Sequence, residues 1–178
     1  MTHFQPELAY PATAVACSLV GSAYDIASRR IPNFVTLPSI LLGLAMHLAL
    51  GGSQQLLLAL AAGLVCGGVF LLFYLAGGMG AGDVKLMTAV GCIAGMPHVV
   101  YLLSFTALSG GAMAIGLALF RGRLQQTISN VGLIAVHHSQ NGLQAHPELN
   151  LSNEDTLRLP YALAIAGGSL LTAYLQFQ

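Results

Sequence analysis

Six acidic residues occur in this 178-residue chain, and two of them stand where an ordinary surface charge does not. Asp25 closes an apolar stretch in Gly21-Ser22-Ala23-Tyr24-Asp25-Ile26-Ala27-Ser28-Arg29-Arg30-Ile31-Pro32-Asn33. Asp83 opens another in Gly77-Gly78-Met79-Gly80-Ala81-Gly82-Asp83-Val84-Lys85-Leu86-Met87. Ionisable groups at the edge of apolar sequence are costly to keep, which makes them functional candidates. Two carboxyls held close together cannot both ionise readily, so one retains its proton. The ionised member can take a proton from water while the protonated one polarises a carbonyl; together these are the tasks of metal-free peptide hydrolysis.

The same residues admit other readings. In a structural role, Asp25 would pair with Arg29 one turn later and Asp83 would act as N-cap of the helix that follows. A small ion- or proton-coupled carrier could use them as binding carboxylates, but carriers place such groups near mid-membrane, at broken helices or internal repeats. No repeat is evident here, and both acids lie at an edge. A structural protein of a secretion apparatus would leave both dispensable. The other acids have plain settings: Glu7 in the N-terminal segment, and Glu148, Glu154 and Asp155 in a polar stretch.

Composition decides what surrounds these groups. Hydrophobic residues make up 56% of the chain, charged residues 7%, and mean hydropathy is +0.75. A soluble domain carries about 25% charged residues, so a soluble enzyme and a disordered chain are both excluded. Net charge of +0 and a pI near 7.0 exclude a general nucleic-acid binder, which needs a basic face. The lipid bilayer is the expected partner of an all-α, polytopic membrane protein forming one domain over 1–178. The N-terminal segment has no Lys or Arg before Glu7, so no cleavable signal peptide is expected. Cys17, Cys66 and Cys92 each lie in apolar sequence without CxxC spacing and read as small buried hydrophobes, with no zinc site.

A hydrocarbon core of about 30 Å takes roughly 20 helical residues. Stretches 8–27, 34–50, 56–75, 84–96, 99–120 and 160–175 supply about six spans, with Pro38 read in a first turn and Pro160 opening the last helix. Positions 86–120 hold no charge, and Pro97-His98 divides them by a turn. With both termini outside, the cytosolic loops are 28–33, 76–85 and 121–159, and Arg29, Arg30, Lys85, Arg121, Arg123 and Arg158 all fall inside. This is the asymmetry that the positive-inside rule predicts. It also brings Asp25 and Asp83 to the same, cytosolic, boundary.

Glycines at spacing four, Gly63 with Gly67 and Gly91 with Gly95, predict close helix packing. Four glycines within Gly77–Gly82 leave room for a peptide backbone to approach closely. Lys85 and Arg30 could draw an acidic substrate group or bias the carboxylates, but ordinary positive-inside anchoring is the favoured reading of both. In loop 121–159, Ile128, Val131, Leu133, Ile134 and Val136 suggest an apolar stripe along the bilayer surface, interrupted at Gly132. His137, His138 and His146 in that loop lack metal-ligand spacing and read as solvent-exposed; His47 and His98 are expected near the outer boundary.

Gly80-Ala81-Gly82-Asp83 is a GxGD motif, and with Asp25 ahead of Arg30-Ile31-Pro32-Asn33 the chain resembles the type IV prepilin peptidases, which are polytopic intramembrane aspartic proteases. Gly78–Leu86 is the strongest piece, and Arg158-Leu159-Pro160-Tyr161-Ala162-Leu163 before the last helix is similar to the small branch serving Flp-type pili. The resemblance implies a GxGD aspartic protease fold with Asp25 and Asp83 as catalytic pair. Gly80, Gly82, Lys85, Arg30, Pro32 and Asn33 would then lie near the substrate. It further implies cleavage of prepilin or pseudopilin leaders at the cytosolic face of a bacterial inner membrane, with no cofactor. Larger relatives carry a four-cysteine zinc insertion after the first helix and methylate the product. Here only Ala27–Asn33 joins the first two helices, so neither zinc nor methyl transfer is expected. A homo-oligomer is compatible with this reading, but nothing in the sequence requires it.

Overall fold

The computed structural model describes residues 6–122 and 160–177, with positions 125, 129, 130, 132, 133 and 142 between them. Among the described residues the chain is helical and without strands. The helices are α1 (Pro6–Ser28), α2 (Asn33–Leu75), α3 (Ala81–Ala94), α4 (Val99–Phe120) and α5 (Tyr161–Gln176), with a 3-10 turn at Met96–His98 between α3 and α4. Each expected apolar stretch coincides with helix, but 34–50 and 56–75 belong to one element. Pro38 also falls a turn deeper than expected, because α2 begins at Asn33. The apolar stripe of the 121–159 loop and its three histidines lie almost wholly outside the described residues.

Drawn straight, the 43 residues of α2 would extend about 65 Å, twice the thickness of a bilayer core. The helix does not run straight. Gly52 has φ 75° and ψ −171°, outside the helical region, and divides α2 into two arms. Side-chain positions at Gly43 on the first arm and Gly63 on the second both meet α3 at Cys92. Further along, Gly67 meets Thr88. The first arm thus runs with α3 and the second runs back against it, a hairpin turning at the one residue type that tolerates this φ without strain.

Helix α3 is the enclosed element. Leu86, Met87, Ala89, Val90 and Ile93 have 0% exposure. Both arms of α2 cover it, and α1, α4 and α5 also touch it. Small residues make this possible: a Cβ at Gly43 would stand 2.9 Å from the Ile93 nitrogen and 3.0 Å from the Cys92 carbonyl carbon, and one at Gly91 would stand 2.8 Å from Cys66 Cβ. Cys17, Cys66 and Cys92 are free thiols buried at such contacts. Gly95 plays a different part from the one its spacing suggested. It ends α3 with φ 79°, facing the His47 ring. His47 Nε2 donates to the Ile93 carbonyl at 3.1 Å, satisfying a last-turn acceptor, and the ring stacks on Tyr10 at 4.3 Å.

Outside this core the surface stays apolar. Leu57, Leu64, Val100 and Leu108 are each 65% exposed or more, an arrangement that suits lipid better than water. Among the described residues, α2 and the stretch Met96–Phe120 are long and apolar enough to cross a membrane.

The α2–α3 seam is open to test by adding a side chain. Gly43→Val drives methyl groups into α3 backbone, which cannot yield as a side-chain tip can. The expected loss is about 1–3 kcal/mol, seen as a lowered unfolding midpoint of the purified protein in detergent. Gly68→Ala, with nothing within 4 Å of the added carbon, is the control and should leave the midpoint unchanged or raise it.

Candidate active site

The site follows from how α1 meets α3. A Cβ at Gly21 would lie 2.6 Å from Leu86 Cδ1, so these two residues fix the level at which the helices cross. Asp25 is one turn beyond Gly21 on the same helix face, and Asp83 is one turn before Leu86 on its own. α1 ends where α3 begins, so both steps lead toward the same end of the assembly and bring the two acids together. The charge of Asp25 is close enough to act on the Asp83 carboxyl.

The link between α1 and α2 is held tightly beside them. The Arg29 N–H donates to the Asp25 carbonyl at 2.8 Å, and Arg29 takes a left-handed φ of 53° to end the helix. The Ser28 hydroxyl lies 2.8 Å from the Tyr24 carbonyl and 3.0 Å from that of Arg30. Buried Ile31 packs on Gly82, where a Cβ would stand 3.2 Å from its own. Pro32 caps α2, and Asn33 Oδ1 accepts from Lys85 Nζ at 2.8 Å. Of the residues expected near the substrate, Gly82 meets the link at Ile31 and Lys85 meets Asn33 across the two loops, while Gly80 and Pro32 stand at the helix starts on either side. Arg30 is exposed, with its backbone carbonyl turned into the link.

Asp83 is not an N-cap. Gly80 holds that position and Asp83 is the third helical residue, its Oδ2 accepting the Gly80 N–H at 3.1 Å. This is half a capping box, since glycine has no side chain to return the bond. Oδ1 is buried and has no hydrogen-bond partner. Burial, reinforced by the charge of Asp25 and only partly opposed by the Gly80 N–H, pushes the Asp83 carboxyl up to about 6. Asp25 is half-buried and, among the described residues, makes neither the expected ion pair with Arg29 nor a side-chain hydrogen bond. The structural pairing considered for it does not form.

One neighbour escaped the sequence reading. Tyr161, the first residue of α5, lies within range of the Asp83 charge and packs against the core. Ser22 Oγ lies 2.7 Å from the Ala162 carbonyl, tying that turn of α5 to the turn of α1 just before Asp25. The available signal was a tyrosine directly after a helix-opening proline. Among the described residues, no cluster of three or more His, Cys, Asp or Glu side chains could hold a metal ion.

A family model described as the type IV leader peptidase family matches residues 12–115, which include both acids, the link and all of the glycine loop. Nothing among curated proteins or solved structures matches the chain.

The burial of Asp83 carries a stability consequence with a definite sign. Its pKa is higher folded (about 6) than its ordinary value of 3.8, so the folded state binds the proton more tightly. The stability from this proton is complete below about pH 4 and is lost as pH rises through about 6. Asp83→Asn, which cannot ionise, should remove that part of the pH dependence and stabilise the protein at pH 7.5 by roughly 1–3 kcal/mol. Unfolding midpoints in detergent across pH 4–8 measure it; a variant tracking the parent throughout would contradict the burial argument.

Proposed function

Since the chain belongs to the type IV leader peptidase family, we propose that it is an aspartic prepilin peptidase in which Asp25 and Asp83 form the catalytic dyad. The observation that carries this reading is the Gly21–Leu86 contact, from which the end of α1 that bears Asp25 lies toward the start of α3 that bears Asp83. The helices form a multi-pass bundle in the bacterial inner membrane, both termini outside and both acids at the cytosolic face. The substrates are Flp-type prepilins or pseudopilins, cut between a basic leader and an apolar helix.

The environments of the two carboxyls assign their roles. The Gly80 N–H marks Oδ2 of Asp83 as an acceptor oxygen, so the proton of this acid resides on Oδ1. Half-buried Asp25 is the ionised partner. Asp25 removes a proton from water as the water oxygen attacks the scissile carbonyl carbon. Asp83 gives its Oδ1 proton to the carbonyl oxygen as the tetrahedral species forms. Collapse of that species breaks the C–N bond, with the proton on Asp25 passing to the leaving nitrogen and the hydroxyl proton returning to Asp83. Water supplies every atom added, and the dyad ends as it began. The short Ala27–Asn33 link leaves no room for a methyl-transfer insertion, so the product amine stays unmethylated.

Asp25→Asn and Asp83→Asn keep shape and lose the acid–base function. Each should cut cleavage of a co-expressed Flp-type prepilin by roughly 10²–10⁴-fold while the protein still inserts. Mass measurement of the mature pilin reads the cleavage site and methylation together. Wild-type processing by either variant would defeat the dyad, and an added methyl group on the product would overturn the assignment of a peptidase alone.

The same roles fix the pH profile. Asp83 must be protonated to act, so kcat/KM should decline as pH rises through about 6, the value to which burial and Asp25 push it. A profile that stays flat as pH rises from about 5 to about 8 would contradict the assignment of Asp83 as the acid.

A further inference from the structure

The tetrahedral step leaves Asp83 ionised, and its surroundings make that state costly. The carboxyl is 8% exposed, and only Oδ2 has a donor, the Gly80 N–H. Oδ1, the oxygen that has just lost its proton, is buried without a partner. A buried anion oxygen with no donor is disfavoured, and the transition state bears that loss. An acid that must ionise repeatedly in such a place needs a second donor.

The groups facing Asp83 differ in what they can give. From α1 comes Asp25, which is itself an acceptor and is engaged with the water. On α3 itself, Lys85 is exposed, its ammonium turned to Asn33 of α2. From α5 comes the hydroxyl of Tyr161, an O–H donor within range of the Asp83 charge. Its place is built in: Pro160 caps α5, the ring packs against the core, and the Ser22–Ala162 hydrogen bond holds this turn against the turn that leads to Asp25. The hydroxyl does not bond Oδ1 in the arrangement seen, so the bond requires rotation of the tyrosine side chain about its Cα–Cβ bond.

We propose that Tyr161 is a positioning residue of the dyad, its hydroxyl donating a hydrogen bond to Asp83 Oδ1 when that oxygen becomes ionised and so making Asp83 a stronger acid. The inference rests on the peptidase reading above and adds a third side chain, on the last helix, to its chemistry. No bond to substrate is required of the tyrosine; it acts through Asp83.

Removing the hydroxyl alone tests this. A donor to the ionised form lowers a carboxyl's pKa, so its loss must raise that pKa and slow the step together. In detergent-purified enzyme with a synthetic prepilin peptide, Tyr161→Phe should lower kcat roughly tenfold. It should leave KM within about twofold and move the basic limb of the pH profile upward by about one unit. Tyr161→Ala and Asp83→Asn are measured alongside, each normalised to folded, membrane-extracted protein. A phenylalanine variant with the parent's kcat and limb would sink the inference, whatever the alanine variant does, because ring packing alone then suffices. A slowed variant whose limb stays put or moves downward sinks it too. Asp83→Asn separates the two levels: if it is inactive while Tyr161→Phe behaves as the parent, only the tyrosine's role falls. Full activity of Asp83→Asn removes the dyad itself.

Discussion

A carboxyl inside an apolar helical assembly resists ionisation, and the molecule is arranged around one such group. Asp83 stands at the start of α3, where the positive end of the helix and the Gly80 N–H favour its charge, yet burial outweighs both. The balance leaves an acid pushed up to about 6 beside a second acid that is half-buried. Two side chains of the same type thereby have different surroundings. The opposed backbone interactions matter as much as the burial. Had Asp83 been the N-cap, with more amide donors at its disposal, its proton would be held less firmly.

Small residues set the distances on which this depends. Gly21 lets α1 approach Leu86, Gly82 lets the link settle its Ile31 against α3, and Gly43, Gly63, Gly67 and Gly91 close the seam between α2 and α3. On the other side, a Cβ at Gly168 of α5 would meet the Thr106 backbone of α4 at 2.7 Å. Packing of this kind, rather than exclusion of water, is what can hold helices together among lipids. Small residues thus stand at the closest approaches, between the larger buried side chains Leu86, Met87 and Ile93.

Much of this was legible in the sequence. The apolar stretches forecast the helices because their lengths and the absence of charge leave few alternatives. Gly80-Ala81-Gly82-Asp83 and Ile31-Pro32-Asn33 marked the loops that meet. What was hidden was three-dimensional. Nothing in the run from Asn33 to Leu75 says that the hairpin turns within an otherwise continuous helix, since Gly51, Gly52 and Ser53 read equally well as a loop. The spacing of Gly91 and Gly95 suggested one shared face, but a positive φ gave Gly95 the helix end instead. The rival structural reading of Asp83 as N-cap set the helix start three residues too late, since Gly80 holds that position. Tyr161 could not be found by spacing at all, because its partner is 78 positions away and only the fold measures that separation. Composition says that a tyrosine is amphipathic, not which carboxyl it faces.

The three buried thiols have a use apart from packing. Cys66 and Cys92 sit buried in the α2–α3 seam, and Cys17 is buried on α1. A thiol-reactive dye can reach them only while neighbouring helices separate, so the rate of labelling clocks spontaneous breathing of the bundle. The native chain already carries the reporters needed to learn whether binding a peptide tightens or loosens it.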